Sequence, residues 1–137
     1  MQKIILDTNI VVSALIQKSF PHLILHDLYI ERKIELCISE SLIAEYFEVL
    51  KRDKFSRFPD FIAMANWVLK DVNEHATLFY PKQKINIIKD AADNMLLELA
   101  VESGADYLVT GNTNDFTMSF YEKTKIVSPR EYWELYK

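Results

Sequence analysis

Short β-branched runs alternate with helix-patterned stretches along the whole chain, and this alternation limits the possible folds more than any other feature. Lys3 to Leu6 reads as a strand, followed by Asp7-Thr8-Asn9, whose side chains favour a turn or cap, and by a helix over Ile10 to Ile16. Phe20 to Lys33 has roughly helical spacing, Ile34 to Ile38 is a second strand, and Ser39 is placed to cap a helix through Leu50. A further helix is expected from Pro59 to Val72, with Phe61, Ile62, Ala65, Val68 and Leu69 on one side. His75 to Tyr80 and Lys84 to Ile88 look extended. Ala91 to Ser103 is a helix closed by Gly104, Tyr107 to Thr110 a strand, Gly111 to Phe116 a loop and Lys125 to Val127 a last strand. Ser128-Pro129-Arg130-Glu131 carries cap, helix-opening proline and capping-box glutamate, so the chain should end in a helix.

Strands alternating with helices imply an α/β fold, with a mainly parallel sheet flanked by helices in three layers. Its functional crevice should open beyond the carboxyl ends of the strands. At 137 residues, half of them apolar and only two glycine, one domain over residues 1–137 is expected, with no disulfide or structural metal needed. No apolar run approaches the roughly 20 residues of a membrane span, and the opening residues lack a signal-peptide pattern, so a cytoplasmic location is expected. Cys37, the only cysteine, falls in a strand-like apolar run and reads as core. The net charge of −4 does not attract polyanions overall, but Lys51, Arg52, Lys54 and Arg57 gather four cations within seven residues. They follow the Glu45 helix and are candidates for holding substrate phosphates.

Four signals fall where such a fold would place a site. Asp7 stands at the end of the first strand, although it could simply cap the next helix. Asp93 shares a helix face with Leu96, Leu97 and Ala100, where an unpaired carboxylate is costly. Its competing account, shared with Asp90, is a favourable charge at a helix start. Glu45 lies at the edge of the apolar face of its helix, whereas Glu48 points to solvent. In the loop after the Tyr107 strand, Gly111 would permit close backbone approach and Asn112 or Asp115 could face the crevice, though a plain turn has the same composition. Clustered carboxylates repel one another unless a cation neutralises them, and oxygen-only ligands suit Mg²⁺ or Mn²⁺. Such ions support phosphodiester hydrolysis.

Leu6-Asp7-Thr8-Asn9, the helix containing Glu45, Asp90-Ala91-Ala92-Asp93-Asn94 and Val109-Thr110-Gly111-Asn112 with Asp115-Phe116 together resemble the motifs of PIN-domain ribonucleases. The resemblance is strongest to the VapC-like toxin subunits of type II toxin–antitoxin pairs. It implies that Asp7, Glu45 and Asp93 are acidic site positions, with Thr8 or Asn9 and Thr110 orienting them and Asp90 in support. It also implies an RNA substrate, a cognate antitoxin and a homodimer. Many relatives carry acids where Asn112 and Ala92 stand here, so either Asp115 is the fourth acid or the chain has none.

Other classes fit less well. A haloacid-dehalogenase-like phosphatase needs an aspartate where Asn9 stands, and a zinc site on His22 and His26 lacks a third ligand. Two glycines cannot build a phosphate-cradling nucleotide loop. The remaining alternative is a catalytically weakened module of the same fold that binds RNA or protein.

Overall fold

In the computed structural model, which describes residues 1–137, the alternation resolves into six strands and six α-helices. The strands are β1 (Lys3–Leu6), β2 (Glu35–Ile38), β3 (Thr77–Leu78), β4 (Tyr107–Val109), β5 (Phe120–Tyr121) and β6 (Thr124–Val127). The helices are α1 (Thr8–Ile16), α2 (Phe20–Leu23), α3 (Glu40–Leu50), α4 (Phe61–His75), α5 (Ala91–Ser103) and α6 (Pro129–Tyr136). The six strands form one sheet in the order β3-β2-β1-β4-β6-β5, parallel throughout except for the β5–β6 hairpin. The fold is therefore α/β with a mainly parallel sheet. No helix is long and apolar enough to cross a membrane.

That order fixes where a crevice can open. The chain steps outward from β1 through β2 to β3, then returns to build β4 and β6 on the other flank of β1. The reversal lies between β1 and β4, and the loops leaving their carboxyl ends diverge there. In register, Leu6 pairs with Val109, so the next residues, Asp7 and Thr110, emerge side by side. Ile4, Ile5 and Leu6 point alternately to opposite faces of the sheet, yet none is exposed, so both faces of β1 are covered. The helix α5 packs on β1 and β2, and α6 packs on β4.

Several local expectations needed correction. Phe20–Leu23 is α-helical, but Ile24–Ile30 winds as a π-helix. Its buried residues, Ile24, Leu25, Leu28 and Tyr29, recur at intervals of four and five, which suits the wider i→i+5 winding. The helix α4 starts at Phe61 rather than Pro59, after Asp60 in the left-handed region, and it leaves Ile62 exposed. Its buried stripe instead runs through Phe61, Ala65, Val68, Leu69 and Val72. Only Thr77–Leu78 of the first extended stretch pairs with the sheet, and Lys84 to Ile88 forms no strand. The β5 strand was not anticipated, because two residues show no periodicity.

Side chains hold the strandless stretch in place. From α5, Asn94 Oδ1 accepts hydrogen bonds from the Ile87 and Ile88 N–H groups at 3.2 and 2.9 Å, and Asn94 Nδ2 donates to the Ile88 carbonyl at 2.7 Å. One turn further along, Glu98 Oε2 accepts from the Ile85 N–H at 3.0 Å. These bonds replace the ladder that a strand would have supplied, and satisfy backbone groups that burial would otherwise penalise.

Candidate active site

Asp7 is buried at the switch point, where its Oδ2 accepts a hydrogen bond from the Thr110 hydroxyl at 2.8 Å. It occupies the N-cap position of α1, yet its side chain makes no cap hydrogen bond. The Thr8 and Asn9 N–H groups at the start of α1 still lie near enough to the carboxylate to favour its charged form, so it is shared between the helix start and Thr110. Burial raises its pKa, the Thr110 hydroxyl opposes that rise, and the charge of Asp90 adds to it. Thr110 Oγ1 also accepts from the Asn112 N–H at 3.0 Å, so one hydroxyl orders the acid and the loop after β4.

Asp90 and Asp93 divide the two roles that the sequence left open between them. Asp90 is the structural cap of α5, accepting from the Ala92 N–H at 2.9 Å, and its exposed side chain still faces the crevice. Asp93 is buried, and its Oδ2 has no hydrogen-bond partner. Burial first, then the charges of Asp90, Asp7, Asp115 and Glu45, push its carboxyl up to about 6.

Glu45 is half-buried on α3. Its pKa is raised by burial and by the charges of Asp7, Asp90 and Glu48. The Thr8 hydroxyl approaches Glu45 and opposes this rise, but Thr8 Oγ1 reaches hydrogen-bond geometry with no group. Glu48 is exposed and paired with Arg52 at 2.8 Å, on the solvent side of the helix. Next to Glu45, the wholly buried Tyr46 donates its hydroxyl to the Leu6 carbonyl. That bond fixes α3 against the end of β1, immediately before Asp7.

A cleft of about 550 Å³ opens at this edge, lined by Ile87, Ile88, Lys89, Asp90, Asp93, Asp115 and Thr117. Asp115 sits in a short 3₁₀ turn (Thr113–Asp115) and is exposed to the cleft. Asp7, which is buried, and the half-buried Glu45 lie outside this lining, as do the exposed Asn112 and Asn9. Gly111 corrects another expectation: a Cβ there would meet nothing within 4 Å, so its lack of a side chain is not what lets the loop approach. Gly104 does hold the left-handed closing position of α5, at φ 64°.

The four cations are placed differently from the acids. The helix α3 starts at the carboxyl edge of the sheet and runs away from it, which carries Lys51 about 9 Å along the axis beyond Glu45. Lys51 bonds to Asn66 at 3.0 Å and Arg52 pairs with Glu48, while Lys54 and Arg57 lie over the rings of Phe55 and Phe58.

The donor set at the switch point is all oxygen, drawn from β1, α3, α5 and the loop after β4, with mutual repulsion and an unpartnered oxygen on Asp93. That chemistry fits a hard divalent cation. The carboxylates do not stand in a closed cage: no three His, Cys, Asp or Glu side chains are grouped closely enough to hold a metal ion. Binding one would require them to turn inward.

An α/β sheet with carboxylates converging at its switch point defines an acid-lined, cation-compatible site. The family model described as the PIN domain matches residues 3–114, and the chain belongs to that family. PIN domains are typically nucleases and generally bind divalent metals. No curated protein matches the chain. Two residues that help to build this site had no role assigned from the sequence: Tyr46, and Asn94, which appeared only as the end of a motif. A tyrosine and an asparagine on apolar helix faces are the available signal, since each needs a buried partner.

Proposed function

We propose that this chain is a Mg²⁺- or Mn²⁺-dependent endoribonuclease that hydrolyses RNA phosphodiester bonds and acts as the toxin of a toxin–antitoxin pair. The observation that carries the nuclease reading is Asp93, a buried carboxylate with a free oxygen among four other acids. A structural carboxylate in that position would be paired; one awaiting a cation need not be.

In this reading Asp7, Glu45 and Asp93 hold the ion, with Asp115 as the fourth acid at the cleft. A bound Mg²⁺ or Mn²⁺ would neutralise these acids, polarise a phosphoryl oxygen and acidify water. Thr110 fixes the Asp7 carboxylate at the end of β1, Asp90 fixes the start of α5, and Tyr46 fixes α3. Thr8 and Asn9 border Asp7, and Asn112 anchors the following loop through its N–H. The test compares parent and Asp93→Asn protein on mixed-sequence RNA, with metal and with chelator. Metal-dependent cleavage by the parent and its loss in the variant are expected. Chelator-insensitive cleavage, or full activity in the variant, overturns the assignment.

The toxin role and a homodimeric state rest on the family resemblance alone. A short DNA-binding antitoxin encoded beside this chain, and growth arrest on its expression relieved by that partner, are the expected results. A second reading has one observation in its favour: Asn112 replaces an acid, and the remaining acids form no closed cage. It makes the chain a catalytically weakened module that binds RNA or protein. Tight metal-independent RNA binding without cleavage would select it.

A further inference from the structure

The segment Ala76 to Lys89 carries three lysines and no acid, in a chain whose net charge is negative. It runs along the carboxyl edge of the sheet and forms a wall of two clefts. Ile87, Ile88 and Lys89 line the one that holds Asp93 and Asp115. Phe79, Tyr80, Pro81 and Lys84 line a second, of about 200 Å³, whose other wall includes Ser39 and Met95. Between them the backbone is fastened to α5 by the Asn94 and Glu98 bonds, so the strap is built rather than loose. The acids Glu40 and Glu98 also face the second cleft, but Glu98 is engaged with the Ile85 N–H. The Tyr80 ring is 62% exposed, with nothing stacked on it.

An acid-lined centre repels a polyanion, so a nucleic-acid strand must be held by cations beside it. Lys89 is the only cation lining the acidic cleft, and Lys84 the only one lining its neighbour. Lys51 and Arg52 lie down α3 and are already partnered. We propose that the Tyr80–Lys89 strap is the track for single-stranded RNA: Lys84 and Lys89 each hold a phosphate along it, and the Tyr80 ring stacks a base at the outer end. A positive groove combined with an aromatic platform is how proteins hold single strands without reading their sequence. This inference rests on the ribonuclease reading for the identity of the strand, not for the existence of the track.

The test measures fluorescence anisotropy of a labelled mixed-sequence single-stranded RNA in Mg²⁺ over a range of salt, in the Asp93→Asn background to prevent cleavage. Parent protein is assayed for cleavage separately. Lys84→Ala with Lys89→Ala should flatten the dependence of log affinity on log salt by about 1.4, that is about 0.7 for each phosphate contact. Tyr80→Ala should weaken binding about five-fold or more, while Tyr80→Trp retains it. Lys123→Ala with Lys125→Ala, at the opposite edge of the sheet, should change neither quantity. Unchanged slope and affinity in the strap variants, equal losses in the control pair, or no RNA binding at all overturns the track. If the strap variants lose binding but the parent cleaves nothing, the track stands and the nuclease reading falls.

Discussion

Replacing Asp93 with asparagine should stabilise the metal-free protein at neutral pH and leave it unchanged in acid. The carboxyl rises to about 6 from an ordinary 3.8. At about 1.4 kcal/mol for each tenfold change in proton affinity, the ionised form is disfavoured in the folded state by about 3 kcal/mol. The cleft is open to water, and screening reduces that ceiling to about 1–2 kcal/mol, or about 3–8 °C in Tm for a domain of this size. Asparagine matches the neutral acid in volume and removes the charge, so a difference that changes with pH reports the charge. The sign follows from proton uptake. Between about pH 4 and 6 the folded parent binds more protons than the unfolded chain, so its stability falls as pH rises through that window. The substituted asparagine cannot ionise, so the advantage of the variant should be near zero at about pH 4 and complete above about pH 6. Denaturant titrations in chelator at about pH 4.5 and about pH 7.5, on either side of most of that change, measure this difference. Millimolar Mg²⁺ should then restore the parent, which at about 100 times its Kd gains about 2.7 kcal/mol, and should affect the variant much less. A variant less stable than the parent at the higher pH, or a difference independent of pH, would refute the electrostatic account of the site.

Asn94→Ala should cost about 2–3 kcal/mol, because it orphans the Ile87 and Ile88 N–H groups, and it should speed hydrogen exchange at both. Tyr46→Phe removes the hydroxyl that joins α3 to the Leu6 carbonyl and should cost about 1–3 kcal/mol by thermal unfolding, lowering cleavage more than RNA affinity. Asp90→Ala should lose about 1 kcal/mol with the α5 cap while Asp90→Ser recovers most of it, which equilibrium unfolding can resolve. Thr110→Val removes the hydrogen bond that opposes the raised pKa of Asp7. The acid limb of the cleavage pH profile should therefore move upward, and an unmoved limb would mean that Asp7 does not set it.

The sequence was most legible where one residue type has one local job. Ser39 accepts from the Leu42 N–H, Ser128 and Glu131 close a capping box, and Gly104 adopts the left-handed turn, each as composition alone suggested. The placement of Asp7, Asp93 and Glu45 at one sheet edge was readable for the same reason, since each is a carboxylate against an apolar pattern. What failed depended on contacts made far along the chain. Lys84 to Ile88 has strand composition, but α5 side chains take up its N–H groups before any strand can. Ile62 matches the apolar stripe of α4 to within one position, and only packing decides which side is covered.

The 2.8 Å bond between Thr110 and Asp7 spans 103 residues of chain, and it bears on when the protein can act during its own synthesis. Within this sheet β1, a central strand, is made well before its neighbour β4, the fourth of the six. Until β4 leaves the ribosome, Ile4, Ile5 and Leu6 lack one flank, and Asp7 faces neither Thr110 nor its loop. At about 5–20 residues per second, that interval lasts several seconds. Nascent fragments ending before β4 carry Asp7, Glu45 and Asp93 but cannot bring Asp7 against Thr110. Translation through β4 is thus a precondition for bringing Asp7 against Thr110 and assembling the crevice.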